Sequence, residues 1–382
     1  MTDSSTLRTT GVVGLAREEW FLGISIATSL VFLAFPEQIF NRLSEPFWYT
    51  VIFLWLFAVV LGSALSVVRH ADHLAEQLQE PYGTLILTLA ITSIEVMAIS
   101  AVMLHGENNP TLARDTLFAV VMIILNGMVG LSLLFGAWRR RDQQHNLHGA
   151  NAYLGVIVPL ATLSLVMPTF LAGPDGPHPS APRQMFLGIA SIGLYGIFLL
   201  LQAGRHHRYF AEETNPDDSN HYQLHVVAVR HHRPVWHHAA LLLAFMGPVA
   251  FLVEQLALPI DYVIETLHAP AALGGVVMAV LVATPEAISA VRASIADHLQ
   301  RAINIFLGSV LSTIGLTVPA MLAISHLFGH PVTLGLQGPD LVMFILTLAV
   351  SIITFSSGRT NLMQGAVHLM LFVTYALLIT QQ

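Results

Sequence analysis

The chain contains no cysteine. That absence excludes disulfides, thiolate metal sites and cysteine nucleophiles together, so any metal must be held by oxygen or imidazole. Lysine is missing as well, and all 16 basic residues are arginine. Charge of either sign is scarce, at 10% of residues, where a water-soluble domain carries roughly 25%. The net charge of −7 is scattered over loops and forms no basic face, which gives no footing for nucleic acid. Hydrophobic residues make up 54% of the 382 instead. Lipid is the expected surrounding, and the expected fold class is an all-α integral membrane protein.

A helical run of about 20 apolar residues crosses the hydrocarbon core. Eleven runs of this kind are predicted, over 20–36, 47–68, 82–104, 113–138, 151–171, 185–204, 236–257, 271–293, 302–326, 340–357 and 362–380. The polar stretch Arg69 to Glu80 separates the second from the third. The first seventeen residues are polar and offer no small-residue cleavage site behind a short apolar core, so no removable signal peptide is expected. With the N-terminus in the cytoplasm, thirteen arginines fall on inside segments and only Arg42, Arg114 and Arg183 outside. Such a positive-inside bias supports both the count and the orientation, which leaves the C-terminus outside.

Two segments interrupt the apolar pattern. Residues 172–183 carry four prolines and read as an external loop; residues 205–238 are the longest polar stretch. The expected organisation is a cytoplasmic segment 1–19, an extra helix 20–36, a five-helix unit 47–204, a cytoplasmic His- and acid-rich loop 205–235, and a second five-helix unit 236–380. An odd helix number per unit makes the second start from the opposite side, the arrangement of inverted-topology repeats.

Charges inside spans are expensive, at about 2.5–3.5 kcal/mol or more for a central ionised group, and are functional candidates by default. Only Glu95 and Glu286 lie well inside the spans, each in the second helix of its unit. Glu254 sits near a span end. Thr84, Thr88 and Thr92 share the Glu95 face by helical spacing. Pro285 precedes Glu286, which predicts a helix disturbed at Thr284 with carbonyl oxygens set free beside the carboxylate. The ninth span carries Gln300, Asn304, Gly308, Ser312 and Gly315 in a small or polar stripe, and the fourth offers Asn126. Packing is the alternative reading of both stripes, since small residues are common between helices. The alternative for the glutamates is a protonated, interhelical hydrogen-bonded pair.

Burial favours the neutral form of a carboxyl and a nearby cation favours the charged form. Two such groups therefore hold protons or a cation in competition, and a site open to each side in turn then exchanges one for the other. Oxygen-only ligation suits Ca²⁺ better than softer metals and also admits Na⁺ or K⁺. No cofactor is called for; Ca²⁺ (or Na⁺ or K⁺) and H⁺ are what is transported.

The stretches LTLAITSIEVMAIS (87–100), PEAISAVRASIADHLQRAINIFLGSVLSTIGLTVPA (285–320) and FSSGRTNLMQGAVHLMLF (355–372) closely resemble the bacterial ChaA-type calcium/proton antiporters of the cation/Ca²⁺ exchanger superfamily. The resemblance implies eleven helices, as one plus two inverted repeats of five, in a bacterial inner membrane. It implies exchange of Ca²⁺ or monovalent cations for H⁺, with Glu95 and Glu286 at the centre of the site. Gly308-Ser309 fits the second-repeat Gly-Ser motif, which adds Ser309 to the candidates. The Gly-Asn pairs expected before each glutamate are replaced by Ile91-Thr92 and Val282-Ala283, and the first-repeat counterpart of Gly-Ser near Val121-Met122 is missing. A Na⁺/H⁺ or K⁺/H⁺ antiporter using the same residues is the alternative.

Eight histidines crowd one region: His206, His207, His221, His225, His231, His232, His237 and His238. Imidazole titrates near neutrality and ligates metals, so they are candidates for pH or metal sensing; a solvated linker is the plainer reading. They superficially resemble the His boxes of membrane di-iron enzymes, a remote alternative that leaves both glutamates without a role. His368, on one face with Asn361, Gln364 and Gly365, reads as an interhelical histidine with its hydrogen bonds met rather than a proton relay.

Overall fold

The computed structural model describes residues 19–78, 82–105, 111–139, 143–170, 181–204, 209–210, 234–329 and 332–381. Helix α1 (Trp20–Ala34) ends at Phe35 because Pro36 disfavours the α conformation before it. The same proline opens the short α2 (Pro36–Phe40), and the Trp48 indole N–H closes the following turn on the Ile39 carbonyl at 2.9 Å. Helix α3 (Pro46–Leu78) runs 33 residues. At 1.5 Å per residue that is roughly 50 Å, well beyond a hydrocarbon core of about 30 Å. The polar stretch expected to separate two spans is thus helical through Leu78, because nothing in Arg69–Leu78 breaks a helix.

Then come α4 (Tyr82–His105), α5 (Leu112–Trp138), β1 (Gln143–Gln144), α6 (Leu147–Phe170), α7 (Ala181–Ala203) and α8 (Val235–Thr266). The chain continues through α9 (Ala272–Ile295), α10 (Leu299–Phe328), α11 (Gly338–Phe355), β2 (Arg359–Thr360) and α12 (Leu362–Ile379). Nine helices among the described residues are long and apolar enough to cross a membrane; Trp20–Ala34 and Leu85–Ala101 are shorter apolar helices. Large apolar side chains such as Leu54, Ile189, Leu200 and Ile353 point outward, as a lipid-facing surface requires.

The apolar window of α5 is 89% buried and that of α10 78%, against 22% for α7 and 28% for α12, so α5 and α10 form the centre. Both are interrupted by a π turn, Ile123–Met128 in α5 and Thr313–Thr317 in α10. Pro285, by contrast, sits inside an unbroken α9, so the disturbance expected there is absent. Its missing N–H removes one ladder bond, and the buried flanks pack around a helix that continues past it.

Apolar side chains gather in two cores. One joins α1, α3 and α8 to part of α4 and α9. The other joins α5, α6, α10, α11 and α12 to the remainder of α4 and α9. Helices α4 and α9 therefore form the seam. Outside the spans, β1 pairs antiparallel with β2, Gln143 opposite Thr360 and Gln144 opposite Arg359. Gln143 also donates to the Ser294 carbonyl and the Asp297 carboxylate, both at 3.2 Å, which ties this strand to the turn after α9.

Candidate ion-binding site

Both glutamates lie on the seam helices and both are buried, Glu95 at 2% exposure and Glu286 at 7%. One helix serves them both. From α10, Ser309 donates to Glu286 Oε2. One and two turns further on, Thr313 and Thr317 donate to Glu95 Oε2 at 3.1 and 2.8 Å. The two carboxylates are close enough for the charge of Glu95 to act on Glu286. Among the described residues, Glu95 Oε1 and the Thr92 hydroxyl are buried without a hydrogen-bond partner. Unsatisfied buried oxygens of this kind destabilise a protein unless something completes them.

Access to the two residues differs. A cavity of about 250 Å³ reaches Glu286, Ser309 and Ser312, with Thr88 on its wall. Asp72 and Arg301 are exposed and mark its mouth, where the Arg301 charge acts on Asp72. Glu95 and Thr92 do not line it.

The other candidates separate into those at the site and those away from it. Asn304 lines the cavity, accepting from Gln300 at 2.9 Å and donating to the Phe210 carbonyl at 2.7 Å. Ser312 lines it too, donating to the Ser309 carbonyl. Thr284 is half-buried, and its hydroxyl donates to the Val280 carbonyl one turn back rather than to Glu286. Asn126 is fully buried but points elsewhere: it donates to Thr347 at 2.9 Å and accepts from His368 at 3.3 Å. Since Asn126 Oδ1 can only accept, His368 carries its proton on Nδ1, and Nε2 takes the Thr354 hydroxyl proton at 3.0 Å. His368 is thus a buried histidine with both nitrogens satisfied.

His237 and His238 belong to the first turns of α8 rather than a loop, because the apolar helix starts at Val235. His238 is buried, 3.2 Å from His70 on α3, and His70 in turn reaches Glu19 at 3.3 Å. His206, His207, His221, His225, His231 and His232 lie outside the described residues, as does the side chain of Thr84.

Sequence reasoning missed Thr313, Thr317, Asp72 and Arg301. Thr313 and Thr317 come after Ser309 at steps of four, a signal present in the sequence but masked by the Gly308–Ser312–Gly315 stripe on the neighbouring face.

A profile of the sodium/calcium exchanger protein family matches residues 48–204 and 237–381. The chain belongs to that family, and is a membrane transporter rather than an enzyme. It is similar to the sodium-potassium/proton antiporter ChaA of Escherichia coli, with 39% identity over 84% of this chain and 86% of that one. A putative ionic transporter of Sinorhizobium fredii is 40% identical over 86% of this chain and 88% of its own. The Ca²⁺/H⁺ antiporter ChaA of Bacillus subtilis is 21% identical over 69% of this chain and 76% of that one. Among solved structures, native YfkE superposes with a TM-score of 0.71 at 20% identity, covering 94% of this chain and all of that one (100%). The H⁺/Ca²⁺ exchanger CAX superposes at 0.61 and 14%, covering 94% and 88%. These likenesses show the fold.

Proposed function

We propose that the protein is a cation/proton antiporter of the bacterial inner membrane that exchanges Ca²⁺ for H⁺ at Glu95 and Glu286 by alternating access. The observation that carries the reading is the pair of buried glutamates on the seam, bonded by successive turns of α10, with one open to a cavity and the other closed off. A carboxylate away from water and counter-charge is costly, so each glutamate holds either a proton or a cation. Oxygens of Glu95, Glu286, Thr92, Ser309, Thr313 and Thr317 supply a hard, oxygen-only ligand set of the type Ca²⁺ takes. Exposing this set to one face and then the other makes each cation movement depend on a counter-movement of protons.

The inverted-repeat reading has support from register. A shift of 191 positions carries Glu95 onto Glu286 and Asn126 onto Thr317, and brings the π turn of α5 to that of α10. The gap between the two family-matched stretches, 48–204 and 237–381, falls at the long polar loop. On this reading the N-terminal segment and the loop 205–235 face the cytoplasm, and the loop histidines sense pH or metal there.

A second reading replaces Ca²⁺ by Na⁺ or K⁺. Two observations favour it: the E. coli relative is named for sodium and potassium, and the same register puts Phe118 and Met122 opposite Ser309 and Thr313. Helix α5 then supplies no hydroxyl to the site, which lowers the ligand count.

Proton flux in inverted vesicles, tracked with a pH-gradient dye on adding Ca²⁺, Na⁺ or K⁺, tests both. Dissipation by Ca²⁺ that vanishes in Glu95→Gln and in Glu286→Gln supports the first reading. A response to Na⁺ or K⁺ alone removes calcium and keeps the mechanism; normal exchange by both neutral variants overturns the two-glutamate site.

A further inference from the structure

The cavity runs along α10 inward through Arg301, Asn304, Gly308 and Ser312. The next residue on that face is Gly315, and it is covered by Tyr195 of α7: a Cβ at Gly315 would stand 3.0 Å from the Tyr195 ring. The Tyr195 hydroxyl approaches the Thr88 side chain on α4, one turn before Thr92 and two before Glu95. Tyr195 is itself a lining residue of the cavity, yet only 6% exposed. It therefore bridges from the π turn that bonds Glu95 to the helix that carries Glu95, at the level where the cavity stops.

We infer that Tyr195 is the barrier between the cavity and Glu95, closing the inner half of the site from α7 while Glu286 stays open. Three features make the side chain suited to this. Its ring is large and flat enough to fill the gap between α4 and α10, and Gly315 leaves the room for it. Its one polar atom lies beside Thr88, which gives the ring a polar neighbour in its closed position. Helix α7 is among the least buried of the spans, which leaves its packing free to relax when α4 or α10 moves. A cation reaching Glu286 then passes to Glu95 only when the ring's contacts with Thr88 and Gly315 give way together.

The inference rests on the proposed role of Glu95, but its test does not require transport. Because the chain has no cysteine, a single introduced thiol reports access without background. Ile91→Cys, on the cavity wall, gives the open reference. Thr92→Cys reports the far side, and costs no hydrogen bond because that hydroxyl has no partner. With Tyr195 in place, a small methanethiosulfonate reagent is expected to modify Ile91→Cys readily and Thr92→Cys slowly. Adding Tyr195→Ala is expected to speed modification of Thr92→Cys by about tenfold or more, since reactivity tracks the population of the open form. Tyr195→Phe keeps the ring and keeps the protection. Gly315→Ala displaces the ring without touching Tyr195, and provides a second route if Tyr195→Ala does not fold. Opening in either variant carries the inference. It is overturned if Thr92→Cys reacts as fast as Ile91→Cys in the presence of Tyr195, or stays protected in both variants while Ile91→Cys reacts normally. Unimpaired cation exchange by Glu95→Gln with this labelling pattern intact would count against the transport role of Glu95 and not against the barrier.

Discussion

Ser309, Thr313 and Thr317 are short hydroxyl side chains that each complete a carboxylate. A hydrogen bond to a charged group contributes about 1.5–3 kcal/mol, so removing one weakens the charged, cation-holding state by roughly tenfold or more. Ser309→Ala and Thr317→Ala are therefore expected to raise the cation concentration for half-maximal exchange by that factor, with Thr317→Ser restoring it. An unchanged half-maximal concentration in both alanine variants would remove these hydroxyls from the site. His368 makes a different kind of demand. His368→Leu orphans Asn126 Oδ1 and the Thr354 hydroxyl, at about 1–3 kcal/mol for each unpaired group. Thermal unfolding in detergent should drop clearly for leucine and less for His368→Asn, whose amide N–H falls where Nδ1–H was. The two glutamates were legible because a carboxylate stands out in an apolar run. Asn126 was misjudged because a polar residue's type does not tell which neighbour it faces. Thr313 and Thr317 were missed because threonine blends into any apolar helix.

At the scale of helices, the close crossings are set by glycine. A Cβ on Gly275 of α9 would lie 2.8 Å from the Thr116 backbone nitrogen of α5, and backbone cannot rotate out of the way. Gly275→Ala should therefore force the two helices apart and cost about 1–3 kcal/mol. Gly155 of α6 has nothing within 4 Å, so Gly155→Ala is the matched control and gains up to about 1 kcal/mol from helix propensity. The pair is read by unfolding temperature in detergent; equal behaviour of the two would show that the crossing is not tight. Helix positions were largely legible from apolar run length. The π turns were not, because an extra residue in a turn leaves the composition of the run unchanged. The expected break at Pro285 failed for a related reason: one lost ladder bond is a local penalty that neighbouring packing overrides.

Across the whole molecule, segments outside the spans hold distant turns together. His145 comes directly after β1; its backbone N–H donates to the Gly358 carbonyl at 3.1 Å, and its Nε2–H to the Phe355 carbonyl at 3.2 Å. Its other nitrogen is buried without a partner among the described residues. Burial pushes the imidazole pKa below the usual 6.5, with the Phe355 carbonyl opposing. The unfolded chain then takes up the proton first as pH falls. The contribution of neutral His145 is present above about pH 6.5 and is lost progressively below it, toward the lowered folded-state value. Unfolding temperature in detergent should fall from pH 7 to pH 5, with a shallower slope in His145→Gln; identical slopes would exclude this residue. Little of the connection between β1 and β2 was legible, because two-residue strands leave no periodicity to read.

The sharing of α10 by both glutamates has a thermodynamic consequence. A single helix that donates to Glu286 at one turn and to Glu95 at the next two couples its position at one carboxylate to its position at the other. Protonation of either changes what α10 gains by staying in place, and so changes the proton affinity of its neighbour by the same free energy, as linkage requires. The two acid groups are then coupled, and the steps in which they release their protons belong to the pair rather than to either residue.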